Sequence, residues 1–440
     1  MKIPLKVIIL GAMGRDYHNF LTYFKDNPAY KVVAFTTSQI IEKHRKFPKE
    51  LAGRLYKKDI PIHPESELPK LIKKFNVDLV FLAYSDLSNQ DVHEKASIVL
   101  ASGANFGLLG TKDTYLKSSK PVIAVTAVRT GSGKSQTSRA IAKILKEHGK
   151  KVVAIRHPMP YGNLLKQRCQ RFSNVEDFKK YNTTVEEEEE YQPWIDNGFV
   201  VYAGVDYKEI LKQAEKECDI LIKDGGNNDW SFIRPDLHIV VADPHRAGHE
   251  LTYYPGFVNF LLADVLIVNK VDSAKKENVE VVKKHAKEYN PKAKVILARS
   301  EIIVDNPELI RGKKCCIISD GPTLSHGGMS FGAGTLAVKK YNGKIVDPRK
   351  YVVGSIKKTF EKYPHLLYEI PAMGYNKKQI KELEKSVNRI PCDVVVDGTP
   401  ANLKRILRVN KPIVNVNYEL GKEAVKKLEK ILKKGFNDIE

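Results

Sequence analysis

The stretch from residue 121 to residue 145 contains the residue types that a nucleotide-binding enzyme needs. It is PVIAVTAVRTGSGKSQTSRAIAKIL, an apolar run that breaks at a glycine-rich turn and resumes with helical spacing. Glycines allow main-chain N–H groups to close around anionic oxygens, Lys134 supplies a positive charge, and the Ser135 hydroxyl can ligate the Mg²⁺ that accompanies a nucleotide. We predict a phosphate-binding loop with Lys134 as a catalytic residue. The predicted nucleotide-binding residues of this loop are Gly131, Ser132, Gly133, Lys134, Ser135 and Gln136.

The loop departs from the usual pattern G-x-x-x-x-G-K-[ST], whose first glycine would fall at Val128. The string R-T-G-S-G-K-S instead resembles the variant loop of dimerising P-loop ATPases and metallochaperone GTPases, whose extra lysine coincides with Arg129. The resemblance implies that Arg129 is catalytic, touching phosphate in cis or across a homodimer and stabilising transition-state charge. The alternative is a solvated loop residue.

Carboxylates follow the next two predicted strands. The string CDILIKDGGNND places Asp224 at a strand end, where P-loop enzymes hold Mg²⁺ directly or through water, so Asp224 is predicted to be catalytic and a metal ligand together with Ser135. The string HIVVADPHRAGHE exposes Asp243, His245 and Arg246 at the same edge. We assign Asp243 to the metal and the two basic residues to the substrate pocket, against the alternative of an ordinary polar loop.

The strand VLIVNKVD ends in a motif that resembles the guanine-recognition motif of GTPases. Asn269, Lys270 and Asp272 are therefore predicted to bind the nucleotide, because a carboxylate at Asp272 can accept from two guanine donors that adenine lacks. ATP is the expected nucleotide, with Mg²⁺, and GTP stays open.

Basic side chains cluster in AIRHPMPYGNLLKQRCQRF, residues 154–172. Arginine grips phosphate bidentately, so Arg156, His157, Arg168 and Arg171 are predicted to bind an anionic substrate, the last two grouped by a helix. Surface salt bridges are the competing explanation.

Composition narrows the class of protein. A net charge of +21 in 440 residues implies anionic ligands, but the lysines are interleaved with glutamate along amphipathic segments, which disfavours nucleic acid as the partner. Lysine-rich, charge-rich composition also fits a protein from a hot environment. We expect a cytoplasmic protein, because the chain has neither a membrane-length apolar run nor a start typical of a signal peptide.

The alternation of strands and helices predicts an α/β fold in three parts. Residues 1–118 are predicted to form a Rossmann-like doubly wound domain, residues 119–340 a P-loop NTPase domain, and residues 341–440 an α/β extension that is either separate or continuous with it. The first turn, GAMG, lacks the dinucleotide fingerprint and its acidic partner, so we do not expect NAD there. Gly11, Gly14 and Arg15 could still hold an anion.

Several strings in this order resemble a family of predicted P-loop GTPases known as cyclic 2,3-diphosphoglycerate synthetases. They are GAMGRDYHNF, AVRTGSGKSQTSR, RHPMPYG, DGGNND, VADPHRAGHE, NKVD, IPAMGY and VVDGTP. The resemblance covers nearly the whole chain and implies a ligase that closes 2,3-diphosphoglycerate into a cyclic anhydride with ATP and Mg²⁺. Arg156, Arg168 and Arg171 would then offset the charge of this small phosphorylated acid. A regulatory or metallochaperone-type GTPase is the alternative.

Overall fold

The computed structural model describes residues 4–38, 45–157, 162–226, 229–325, 327–372, 377–400 and 403–436. It has an α/β fold built on mainly parallel sheets, which confirms the predicted class. The strands are β1 Leu5–Leu10, β2 Tyr30–Thr37, β3 Lys46–Phe47, β4 Ile60–Pro64, β5 Leu79–Leu82, β6 Leu87–Ser88, β7 Asn105–Gly107, β8 Val122–Ala127, β9 Val152–Arg156, β10 Gln170–Phe172, β11 Val200–Ala203, β12 Ile220–Asp224, β13 Leu237–Ala242, β14 Tyr253–Tyr254, β15 Val265–Val268, β16 Lys294–Leu297, β17 Ser300–Val304, β18 Lys314–Asp320, β19 Lys344–Ile345, β20 Glu369–Ala372, β21 Val394–Gly398 and β22 Ile413–Leu420.

The helices cover these sheets. They are α1 Arg15–Asn19, α2 Lys49–Ala52, α3 Leu68–Phe75, α4 Asn89–Ala101, α5 Thr111–Thr114, α6 Lys134–Glu147, α7 Glu176–Tyr181, α8 Val185–Ile195, α9 Tyr207–Ala214, α10 His249–Thr252, α11 Gly256–Leu262, α12 Lys276–Tyr289, α13 Gly321–Leu324, α14 Ala333–Lys340, α15 Gly354–Lys362, α16 Lys377–Arg389, α17 Leu403–Ile406 and α18 Lys422–Gly435. Shorter turns are the π-helical Phe20–Phe24 and the 3₁₀ turns Glu65–Glu67, Pro244–Arg246 and Pro307–Leu309. Across the described ranges, no helix combines the length and apolar character needed to cross a bilayer.

The first sheet has the strand order β3-β4-β2-β1-β5-β7 and is parallel except at β3. The central strand β1 is buried on both sides: Val7 and Ile9 belong to one apolar cluster and Ile8 and Leu10 to another. A strand covered on both faces is typical of a doubly wound sheet, which places ligands beyond the carboxyl ends of the strands.

The second sheet has the order β10-β11-β9-β12-β8-β13-β15-β16, and only β10 is antiparallel to its neighbour among these strands. β8 lies in its middle and every residue of it is buried. The carboxyl ends of β12 and β13 therefore flank the turn that follows β8, so that Asp224 and Asp243 stand on either side of it.

The third sheet has the order β17-β22-β21-β18-β19, with β20 also pairing β18. The run 316–318 falls within the segment 119–340 that was predicted as the P-loop domain, and it forms part of the strand β18. β18 lies inside the third sheet, where Cys316 and Ile318 pack on one side and Cys315 and Ile317 on the other. The chain passes from the second sheet to the third between Leu297, where β16 ends, and Ser300, where β17 begins.

The C-terminal helix shares a core with the phosphate-loop helix. Leu428 and Leu432 of α18 belong to the same buried cluster as Ile141 and Leu145 of α6. Helix α6 also contacts β22, so the end of the chain helps to fix the helix that carries Lys134.

Candidate functional site

The turn between β8 and α6, residues 128–133, is named the phosphate loop. Gly131 and Gly133 have φ angles of 77° and 112°, in the region that favours glycine. A Cβ on Gly133 would stand 2.2 Å from the Asn269 amide nitrogen, so the loop also needs glycine for close packing. Helix α6 begins directly after it, at Lys134.

Three side chains hold the main-chain carbonyl groups of the phosphate loop from outside. The bonds are Arg246 Nη2 to Thr130 O at 2.8 Å, Lys270 Nζ to Gly131 O at 2.7 Å and Asn269 Nδ2 to Ser132 O at 2.9 Å. In a trans peptide the C=O and the following N–H point in opposite directions. The N–H groups of residues 131–133 are therefore turned away from these side chains, which is the orientation that an anion on the other side of the loop requires.

Asp243 fixes two of those holding side chains. Its carboxylate accepts from Arg246 at 2.8 Å, from Lys270 at 2.9 Å and from the main-chain N–H of His245 at 3.1 Å. Burial by itself would raise the pKa of Asp243, but Lys270 and Arg246 hold it well below its usual range. Asp243, which was predicted to be a metal ligand, thus fixes side chains that hold the phosphate loop. His245, which was predicted to bind substrate, contacts Ser273 Oγ at 2.9 Å.

Lys134 and Asp224 lie together at the mouth of the loop. Asp224 is fully buried at the end of β12, where it accepts a hydrogen bond from Ser138 Oγ at 2.8 Å and contacts Arg156. Burial lowers the pKa of Lys134 to about 8, with Asp224 partly offsetting it. One carboxylate and the nearby Ser135 hydroxyl are hard oxygen donors, which fit the one or two protein ligands that Mg²⁺ takes beside phosphate oxygens.

Arg156 is the last residue of β9, where it pairs with Asp224 of β12, and His157 follows it. Arg156 is buried, contacts Asp224 and Glu190, and its carbonyl accepts from Tyr207. His157 is buried with Nδ1 at 3.6 Å from Asp229 Oδ2, and burial, followed by the charge of Lys223, lowers its pKa well below the ordinary value. The structure therefore brings both predicted substrate residues to the region of Lys134.

Arg168 and Arg171 are placed elsewhere, and the predicted helix around them is wrong. Residues 170–172 form the edge strand β10, which pairs with β11 and leaves Arg168 in the preceding turn. Arg168 pairs with Asp206 at 3.0 Å and Arg171 with Glu217 at 2.7 Å. Because β10 is four strands from β8, Arg171 lies about 19 Å across the sheet from the phosphate-loop strand.

Arg129 is engaged by a residue that the sequence analysis did not single out. Asp86 lies between β5 of the first sheet and β6, and it accepts hydrogen bonds from Arg129 Nε at 2.8 Å and from Thr130 Oγ1 at 2.9 Å. The Arg129 guanidinium also lies 3.6 Å above the Tyr253 ring and contacts His249. This contact joins the first sheet's loops to the phosphate loop within one chain.

Gln136 and Asp272 both meet Ser300, the first residue of the third sheet. Gln136 exchanges hydrogen bonds with Ser300 Oγ at 3.2 and 3.3 Å, and Asp272 accepts from the Ser300 N–H at 3.0 Å. Together with the bonds of Asn269 and Lys270 to the phosphate loop, every polar residue of the N-K-x-D motif has an intramolecular partner.

The glycine-rich segment 319–335 packs against the phosphate loop. Gly327 O accepts from Arg246 Nη1 at 2.6 Å, and a Cβ on Gly131 would stand 2.6 Å from Thr323. His326, which the sequence also contains in this segment, lies outside the described residues.

The N-terminal turn, residues 11–16, is filled by its own carboxylate. Asp16 accepts from the N–H groups of Met13 at 3.0 Å, Gly14 at 3.1 Å and Tyr17 at 2.7 Å. The anion predicted at this turn would meet the Asp16 side chain if it were bound by the main-chain N–H groups of residues 13 and 14, and even a Cβ on Gly11 would be 2.6 Å from Asp16 Oδ2. Burial raises the pKa of Asp16 to about 6.

Residues missed by sequence reasoning share one signal. Asp86 stands shortly after β5 and Asp229 shortly after β12, so both follow the carboxyl end of a parallel strand. Position after a strand predicts the edge of the sheet at which a side chain lies. It does not predict which loop of another sheet that side chain contacts.

The chain is similar in sequence to two known synthetases. The chain is 56% identical over 437 residues to arginine synthetase ArcE of Thermococcus kodakarensis, covering 99% of this chain and 98% of that protein. It is 24% identical over 217 residues to cyclic 2,3-diphosphoglycerate synthetase of Thermococcus sibiricus, covering 48% and 47% of the two chains. These relatives confirm the family predicted from the sequence strings. No family model matches the chain.

Among solved structures, the model is similar to LpxK of Aquifex aeolicus, whose apo form was crystallised in complex with ATP. The sequences are 13% identical, the match covers 84% of this chain and 99% of that chain, and the TM-score is 0.40. At that TM-score the likeness says nothing about function.

Proposed function

The chain belongs to the family of arginine synthetase ArcE, and from this premise we propose that it is a nucleoside-triphosphate-dependent ligase whose product is arginine. The observation that carries the proposal is the phosphate loop itself. Its carbonyl groups are held outward by Arg246, Lys270 and Asn269 in a chain that matches the relative along nearly its whole length.

The residues of the loop have separable tasks in this proposal. Main-chain N–H groups and Lys134 bind the triphosphate, and the positive charge of Arg156 offsets charge that develops during phosphoryl transfer. Ser135 and Asp224 would hold Mg²⁺, which would neutralise part of the phosphate charge. ATP is the proposed nucleotide, because Asp272 already binds the Ser300 N–H with one of the oxygens that guanine recognition would use.

The proposed product, arginine, restricts which substrate and which reaction are possible. Arginine carries a guanidinium group, and the corresponding ureido group differs from it by one carbonyl oxygen in place of nitrogen. Transfer of the γ-phosphoryl group to that oxygen turns it into a leaving group, after which ammonia attacks the carbon and phosphate departs. L-Citrulline is the ureido amino acid with this relation to arginine.

Formation of cyclic 2,3-diphosphoglycerate is the second candidate. It is supported by the distant relative of that name and by the basic residues Arg156 and Arg246 beside the loop. Identity of 24% over about half of the chain favours it less than the full-length match favours arginine.

One reactant panel separates the candidates. The purified protein is incubated with Mg²⁺ and ATP or GTP, either with L-citrulline and ammonium chloride or with 2,3-diphosphoglycerate. Arginine is measured by chromatography, and phosphate species by ³¹P NMR. We expect arginine and inorganic phosphate in equal amounts with ATP. A new anhydride signal with 2,3-diphosphoglycerate and no arginine would replace the first candidate with the second, and turnover of neither would overturn both.

A further inference from the structure

A small cavity lies where loops of the first sheet meet loops of the second. It has a volume of about 100 Å³ and is lined by the N-terminal turn, by residues 83–85 after β5, and by His157 and Asp229 of the second sheet. We name it the Arg15 cavity.

Arg15 is the side chain in this cavity whose hydrogen-bonding capacity is least used. It is 5% exposed, and within the described part of the chain its Nε and Nη1 atoms have no hydrogen-bond partner. Its guanidinium is fixed in place, at 4.5 Å from the Trp230 ring and 4.2 Å from the Phe232 ring. The third nitrogen, Nη2, donates to the Trp230 carbonyl, so the unused donors are Nε and Nη1, which lie on different edges of the guanidinium and can each donate one hydrogen bond to a carboxylate oxygen.

Asp229 supplies the opposite charge in the same space. Its Oδ1 atom lies 3.8 Å from Arg15 Nε, too far for a hydrogen bond, and the side chain is buried. Burial raises the pKa of Asp229 to about 6, with Arg15 acting in the other direction, so the group is largely ionised at neutral pH. The cavity therefore offers one cation and one carboxylate side by side.

Building on the proposed function, we propose that the Arg15 cavity binds the head group of the amino-acid substrate, with Arg15 on the α-carboxylate and Asp229 on the α-ammonium group. A zwitterion matches both charges. A polyanion such as a diphosphorylated acid does not, because Asp229 and Asp16 both line the cavity.

The position of the cavity suits an amino acid that reacts at the far end of its side chain. His157 and Asp229 line the cavity, and the charge of Lys134 acts on both of them. His157 also directly follows Arg156, which contacts Asp224 beside the phosphate loop. A head group held by Arg15 can thus direct its side chain past His157 toward the transferred phosphoryl group.

Paired ligands test the carboxylate contact. Calorimetry compares L-arginine with agmatine, which lacks the α-carboxylate, on the wild type, Arg15→Met and Arg15→Lys, each with MgADP present. We expect the wild type to prefer L-arginine by about 10- to 100-fold, the range for a hydrogen bond to a charged group. Arg15→Met should lose that preference while its affinity for agmatine is unchanged, and Arg15→Lys should keep part of it. The control Arg349→Met removes an exposed arginine of the third sheet and should behave as the wild type.

Asp229→Asn tests the ammonium contact with 5-guanidinopentanoate, which lacks the α-amino group. We expect weaker L-arginine binding and unchanged binding of this analogue. The proposal is overturned if Arg15→Met weakens L-arginine and agmatine equally, or weakens neither. Should Arg15→Met not fold, as judged by circular dichroism, Arg15→Lys and Asp229→Asn decide by the same criteria.

Failure of the proposed function gives a different result. If the wild type makes no arginine, a thermal-shift panel of the standard amino acids decides about the cavity, because a ligand of the native state raises apparent stability. Protection by any of them that Arg15→Met removes supports the cavity assignment. Protection by none of them overturns it.

Discussion

The phosphate loop and the N-terminal turn are two glycine-containing turns, each between a buried strand and a helix, and they carry side chains of opposite charge, Lys134 in one and Asp16 in the other. In the phosphate loop, cations and an amide hold the carbonyl groups outward, and Lys134 starts the helix. In the N-terminal turn, Asp16 accepts from the main-chain N–H groups that an anionic ligand would need. The same local architecture therefore recruits an anion at one turn and supplies its own at the other.

This difference teaches that glycine spacing by itself does not define an anion site. The two turns differ in a side chain at the start of the helix. Lys134 directly follows Gly133, whereas Asp16 lies two residues after Gly14. A carboxylate in the first turn of a helix is stabilised by the N–H groups there and then competes with any ligand. A sequence-based search for such sites should therefore score acidic residues in that position as evidence against ligand binding.

Lys134→Ala gives the largest expected effect, because it removes the charge that distinguishes the open turn from the filled one. We expect the rate of arginine formation to fall by about 10²- to 10³-fold, the range for loss of one preorganised electrostatic contact. Initial rates at saturating ATP measure it. The control is Lys143→Ala on the same helix, whose side chain is 46% exposed and pairs with Glu419. Equal losses in both variants would refute a special role for Lys134.

Asp86→Asn breaks the ion pair that joins the loop after β5 of the first sheet to the phosphate loop. Asn tolerates the left-handed backbone of this residue, φ 64°, so the change isolates the carboxylate charge. The change removes the carboxylate charge that faces the Arg129 guanidinium, which is 3% exposed, at 2.8 Å. We expect the free energy of unfolding to fall by about 3–5 kcal/mol, measured by urea denaturation. Asp347→Asn, in an exposed pair with Arg349, should change it by less than about 1 kcal/mol.

Asp16→Ala should convert the filled turn into an open one. Removing the carboxylate leaves the N–H groups of Met13 and Gly14 without their partner, which we expect to lower the free energy of unfolding by about 2–4 kcal/mol. Added sulfate should then stabilise the variant more than the wild type. The control Asp91→Ala removes an exposed carboxylate that also accepts from a main-chain N–H group. An Asp16→Ala protein that gains nothing from sulfate would refute the equivalence of the two turns.

The pH dependence of stability sharpens the same point. Burial raises the pKa of Asp16 from 3.8 to about 6, so between these values the folded chain keeps a proton that the unfolded chain releases. This contribution to stability is complete below about pH 4 and is lost as pH rises to about 6, by at most about 3 kcal/mol. Subtracting the curve of Asp16→Asn from that of the wild type isolates the contribution, since Asp229 and Asp397, whose pKa values are also raised, remain in both proteins. A flat difference curve would contradict it.

Local sequence patterns predicted the strands and helices well, but they did not predict which strands lie side by side in a sheet. The predicted alternation of strands and helices is observed, and features such as the capping box of Thr184 and Glu187 that begins α8 depend only on nearby residues. The strand β18, by contrast, has a sequence that does not show which sheet it joins. Its sequence is apolar on both faces, and such a strand fits the middle of any parallel sheet.

In the candidate site, too, some features could be predicted from local sequence and others could not. The sequence predicted that Lys134, Asp224 and Arg156 follow neighbouring strands, because strand ends of one sheet meet at one edge. It did not predict Asp86 on Arg129 or the use of Asn269 and Lys270 on loop carbonyls, since these contacts join segments more than 40 residues apart. The sequence also predicted that Arg168 and Arg171 belong to the site, because the spacing of charged residues does not show that they pair with Asp206 and Glu217.

Arg168→Ala should have the smallest effect and tests whether distance from the phosphate loop matters. Its side chain is 52% exposed and pairs with Asp206, so we expect the free energy of unfolding to change by less than about 1 kcal/mol. KM for the amino acid and for ATP should stay within twofold of the wild type, whereas Arg156→Ala, next to Asp224, should reduce kcat. Steady-state kinetics of both variants provide the comparison. A clear rise in KM for Arg168→Ala would instead support the anionic-substrate role predicted from its sequence cluster, and would require the β10 edge to approach the phosphate loop during turnover.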